Sequence, residues 1–103
     1  MNVKTVTLNT KYIKNVTGDI DTRTYQDGSL AVALVEPNGY EYMLLSVNIK
    51  GYGITPAKDC FFVKDYSEHQ GLAEALENTG FFKITKHMQL GQYNALFKEV
   101  QFV

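Results

Sequence analysis

The chain has 103 residues, 45% of them hydrophobic and 20% charged, with a formal net charge of -1 at pH 7. That balance excludes a disordered tail and fits one domain, residues 1–103, built around one modest core. With 10 basic side chains against 11 acidic ones there is no cationic surplus to grip a phosphate backbone, so no nucleic-acid partner is expected.

In chain order, "VKTVTL" (3–8) alternates with period two, which predicts a strand with Val3, Thr5 and Thr7 on one side and Lys4, Val6 and Leu8 on the other. "YIKNV" (12–16) extends it or forms a second strand. Gly18 and Asp19 read as punctuation before another strand-like run, 20–26, and an Asp27-Gly28 turn.

Two strands, 29–36 and 40–49, then flank Pro37-Asn38-Gly39. Proline cannot donate at the pair closing a two-residue loop. The prediction is therefore a type I turn with Gly39 left-handed and Glu36 opposite Tyr40. This register sets Leu30, Val32 and Leu34 beside Tyr42 and Leu44, and Ala31, Ala33 and Val35 beside Met43, Leu45 and Val47. Two apolar faces predict a hairpin covered on both sides, with the alanines leaving room for a packed helix.

Gly51, Gly53 and Pro56 mark 50–59 as a loop, and "CFFVK" follows as a short strand. "DYSEHQGLAEALENTGFF" (65–82) is the one clear helical signal, about three turns long. Ser67 with Gln70 has capping-box spacing, and Asp65 with Glu68 offers a competing box. Leu72, Ala75, Leu76 and Thr79 make one narrow apolar face, and Gly80 is placed to stop the helix. Two closing strands, 81–90 and 92–103, surround Gly91. The order predicts an α+β fold: an antiparallel sheet of about five to seven strands with one short helix packed on one face.

No chemistry-bearing motif stands out. His69 and His87 lack a nucleophile and an orienting carboxylate in any known arrangement, and with Asp59 and Cys60 they match no metal spacing. "GYG" and "DGS" form neither a P-loop nor a dinucleotide fingerprint. Neither catalysis, cofactor nor metal is expected. Cys60, the single cysteine, precedes an apolar strand and reads as a buried structural thiol.

The acids Asp65, Glu68, Glu74 and Glu77 along the helix, with Tyr40 and Tyr42, suggest instead a surface for a protein partner. The alternative is a small ligand-binding site or enzyme near the 50–60 loop, using Asp59, Cys60 and His69 or His87. A homodimer joined through an exposed edge strand is a third possibility. The N-terminus alternates rather than running apolar, and no apolar run approaches roughly 20 residues, so no membrane association and a cytoplasmic location are expected.

"YQDGSLAVALVEPNGYEYMLLSVNI" followed by "FFVKDYSEHQGLAEALENTG" resembles a small domain family of unknown function carried on conjugative transposons and phages of gut bacteria. The family's Y-x-N/D-G-x-L-A strand corresponds to residues 25–34, its second strand to 45–49, and its strand leading into an acidic helix to 61–80. The resemblance covers somewhat over half the chain. It implies an accessory protein of a mobile element or phage, acting on a host defence or conjugation process.

Overall fold

The computed structural model describes residues 4–103; Val3, expected in the first strand, lies outside them. The strands β1 (Lys4–Leu8), β2 (Val16–Thr24), β3 (Leu30–Val35) and β4 (Glu41–Leu44) pair in that order. A second sheet holds β5 (Cys60–Lys64), β6 (Phe82–Leu90) and β7 (Ala95–Phe102), in the order β5-β7-β6. All the pairings are antiparallel. One helix, α1 (Leu72–Asn78), completes an α+β fold, with short 3₁₀ turns at Lys50–Tyr52 and Ser67–His69.

The seven strands are shared between two sheets. The chain itself links them. After β4, Val47 makes an isolated bridge to Phe62, its N–H donating to the Phe62 carbonyl at 2.8 Å.

Alternation puts Val6, Leu8, Ile20, Val32 and Leu34 of the first sheet against Phe61, Val63, Phe82 and Val100 of the second. Leu72, Ala73, Ala75 and Leu76 of α1 close the same core. Phe61 is fully buried at its centre, edge-on to Phe82 with centroids 5.8 Å apart. A smaller cluster of Ile49, Phe62 and Phe97 lies on the other face of the second sheet, where Val47 and Ile54 from the 47–57 segment cover it.

Gly18 does not punctuate; it sits inside β2, opposite Val6. A Cβ there would lie 2.6 Å from the Val35 carbonyl oxygen and 3.1 Å from Leu34 Cγ. The glycine admits the close approach of the next strand. Gly18→Ala is expected to lower stability by about 1–3 kcal/mol, because a backbone atom must yield. Urea unfolding measures it, and an unchanged midpoint would refute the crowding.

The hairpin turn forms as expected. Gly39 is left-handed (φ 92°), its N–H donates to Glu36 O at 2.8 Å, and Glu36 N–H donates to Tyr40 O at 2.7 Å. Beyond the turn the register departs from expectation. Val35 faces Glu41, but Leu34 faces Met43 and Ala33 faces Leu44. Tyr42 is the extra residue of a β-bulge, and the bulge reverses the alternation after it. Met43 and Leu45 therefore join Val32 and Leu34 in the core, while Tyr42 and Leu44 turn outward.

Among the described residues no helix packs over the alanines on the outer face; α1 lies against β1, β5 and β6. Instead Arg23 of β2 reaches across β3, Nη1 donating to Glu41 Oε1 of β4 at 2.7 Å while Nε holds Asp21 Oδ2 at 2.9 Å. Ala31 and Ala33 are buried on that face because their small side chains let the arginine cross.

The helix is shorter than its sequence signal. Ser67 does not cap it; Ser67 has φ 56° and opens the 3₁₀ turn instead. α1 begins after Gly71, left-handed at φ 85°, whose N–H donates to Asp65 Oδ1 at 2.5 Å. Glycine tolerates that reversal, so the chain breaks the helical run there. Gly80, also left-handed, follows the helix as expected.

Candidate functional site

The sequence grouped Asp65, Glu68, Glu74 and Glu77 on one acidic surface. The structure disperses them. Asp65 is buried, with Oδ2 2.6 Å from Lys98 Nζ, and is no surface residue. Its odd position in the β5 run turns it inward with Phe61 and Val63. Glu68 is exposed and paired with Lys64 Nζ at 2.9 Å. Hydrogen bonds from Ser67 and then Lys64 lower its pKa to about 2. Glu77 accepts the Ile84 N–H at 2.9 Å, which ties α1 to the outer edge of β6. Glu74 alone stands exposed on the helix without a hydrogen bond among the described residues.

Tyr40 and Tyr42 are 72% and 47% exposed, and Leu44 beside them is 40% exposed. They sit on the tip and free side of the β3–β4 hairpin. Because β4 ends one sheet and α1 packs on β1, β5 and β6, the tyrosines and the helix acids do not form one surface. The hairpin is the more continuous of the two. Its outer face adds the Asp21–Arg23–Glu41 chain. Hydrogen bonds that the guanidinium donates to Asp21 and then to Glu41 raise the Arg23 pKa, so it stays charged.

Sequence reasoning missed Arg23 and Leu44. Leu44 was placed facing the hydrophobic side of β3 because a bulge leaves no mark in a period-two pattern. The Arg23 lane had a trace: two alanines in a strand opposite alternating charges on its neighbour.

The 50–60 loop borders a cavity of about 420 Å³ lined in part by Asp27, Lys50, Lys58, Asp59 and Cys60. His69 and His87 are not among its lining residues. Cys60 is buried, and its thiol lies 3.5 Å from the Lys58 carbonyl. Burial, then the nearby Glu99 and Asp59 charges, push its pKa up, which keeps it a thiol rather than a nucleophilic thiolate. Among the described residues no group of three or more His, Cys, Asp and Glu is placed to hold a metal ion. No helix among them is long and apolar enough to cross a membrane.

His69 has its Nδ1 buried with no hydrogen-bond partner among the described residues. Burial, then Lys64, lower its pKa, while Glu68 opposes them. The fold thus favours neutral imidazole, and the unfolded chain takes up the proton first. The His69 contribution is present above the ordinary histidine pKa of 6.5 and is lost as pH falls through the lower folded value. Thermal melting at pH 7 and pH 5 is expected to show a drop that His69→Gln reduces; an equal drop in the variant would refute this assignment.

Comparison with family models, with curated proteins and with solved structures gives no match to this chain.

Proposed function

We propose that this protein acts by binding another protein rather than by catalysis, and that the β3–β4 hairpin is the binding surface. The observation that carries the reading is the exposure of Tyr42 and Leu44 on β4, the strand that ends its sheet, with Tyr40 exposed at the turn before it. Tyrosine is large, rigid and amphipathic, so it gains contact area at small entropic cost and favours interfaces. Apolar side chains concentrated at a sheet margin are a feature that a monomer ordinarily blunts. The raised pKa and burial of Cys60 weigh against the alternative, a nucleophilic site at the 50–60 loop. The resemblance to a family of mobile elements and phages supports a role in a bacterial cytoplasm, directed at a host defence or conjugation process.

The test is affinity capture from nuclease-treated bacterial lysate, comparing the natural chain with Tyr42→Lys combined with Leu44→Lys. Both side chains face solvent, so the fold is expected to survive. A stoichiometric protein lost in the double variant, and retained in Glu74→Lys, supports the hairpin. Equal capture by the natural chain and the double variant would sink it. The Glu74 comparison separates the hairpin from the helix, the other surface that the sequence pointed to.

A further inference from the structure

Building on the reading of the hairpin as an interface, we propose that β4 receives an extended, basic segment of its partner as an added strand. The argument starts from the sheet edges, of which there are four. The β5 edge is met by the Val47–Phe62 bridge. The β6 edge gives its Ile84 N–H to the Glu77 carboxylate. α1 lies along β1, with Thr7 and Asn9 facing Ala75 and Asn78 across a shallow groove. Proteins guard edges in such ways because open backbone groups recruit other strands. No other element covers the β4 edge among the described residues; the strand is four residues long and interrupted by the bulge at Tyr42.

The ladder fixes what that edge offers. Leu45 N–H donates to Val32 O at 2.8 Å, so the preceding residue, Leu44, turns its N–H and C=O away from β3. An extended backbone matches the outward N–H and C=O of Leu44, with side-chain contacts supplied by Tyr42 and Leu44.

Charge chooses the occupant. Glu36 and Glu41 flank the turn of this hairpin; Arg23, reaching from β2, is shared by Glu41 and by Asp21 of its own strand, which leaves a negative surplus at Glu36, a side chain with no ion pair among the described residues. A basic strand meets that surplus. A second copy of this chain would bring Glu36 and Glu41 from both sides to one seam, where like charges facing each other across strands repel.

The experiment uses the full chain labelled for amide NMR and two probes: a short peptide alternating lysine and valine, and the same peptide with glutamate for lysine. The lysine peptide is expected to shift the amide signals of residues 41–44 and slow exchange at Leu44, with the glutamate peptide binding about tenfold more weakly or less. Glu36→Lys, whose side chain has no hydrogen bond among the described residues, is expected to narrow that difference while the rest of the spectrum holds. Equal affinity for the two peptides, no binding of either, or shifts centred elsewhere would overturn the proposal. A dimer of the free protein with Leu44 already protected would overturn it in favour of self-association. If the Tyr42 and Leu44 variants lose a captured partner while neither peptide binds, the hairpin surface stands and strand addition falls.

Discussion

Asp65→Ala is expected to lower folding stability by about 3–5 kcal/mol, the usual cost of removing one partner from a buried ion pair. The Asp65 and Lys98 side chains are 5% and 9% exposed, and their charged atoms lie 2.6 Å apart. Without the carboxylate, the Lys98 ammonium stays in a poorly hydrated position with nothing to balance it. The loss extends to the backbone, since Asp65 also accepts the Gly71 N–H at the start of α1. A buried donor left unmet costs roughly another 1–3 kcal/mol where water cannot reach it. Replacing both partners with apolar residues, Asp65→Leu with Lys98→Met, is expected to cost less than the single change, because no charge is then stranded. Urea unfolding of the three variants decides the matter. A single variant as stable as the natural chain would refute the buried-pair account. The same measurement protects the functional test, because loss of capture in an Asp65 variant traces to unfolding and not to a lost contact surface.

The elements legible from sequence were those in which local pattern and tertiary packing agree. β5 was visible as an apolar run bounded by charge. The three-residue turn was visible because proline and glycine each demand one conformation. β6 and β7 were visible around Gly91. The misreadings arose where a distant residue decides a local outcome. Ser67 has good capping chemistry, but Asp65 is drawn inward to Lys98, more than thirty positions away, and carries the Gly71 amide with it. Gly18 looked like a break because its reason, the Val35 carbonyl in a neighbouring strand, is absent from its local sequence. The bulge at Tyr42 inverted a face assignment that depended on strict alternation. It also moved Leu44 into the candidate site and Asp65 was removed from it by burial. Tyr40 and Tyr42 can be singled out by residue type alone, whereas Arg23 requires knowing that β2 and β4 flank β3.

Phe61→Ala is expected to lower stability by about 3–5 kcal/mol and to do so in a single transition. Phe61 is fully buried and contacts its surroundings through both Phe82 and Phe102, with centroids 5.8 Å and 5.6 Å away. It belongs to a core that draws residues from both sheets and from α1, so no sheet retains a complete apolar face when the other is lost. Backbone circular dichroism and tyrosine fluorescence should therefore change together on heating, because Tyr25 and Tyr42 report on the first sheet while Tyr52 and Tyr66 pack against Phe97 of the second. Phe97→Ala provides the contrast. Phe97 lies in the smaller cluster under the 47–57 segment, which can settle into the space, so the cost belongs at the lower end of the large-to-small range. Two separate transitions would show that the sheets unfold independently and would refute the shared core. The consequence reaches the β3–β4 hairpin, since Met43 and Leu45 anchor β4 in that same core. A well-packed core holds the hairpin backbone in place, so that Tyr40, Tyr42 and Leu44 are presented to a partner in a fixed arrangement and the ordering cost is met during folding rather than at binding.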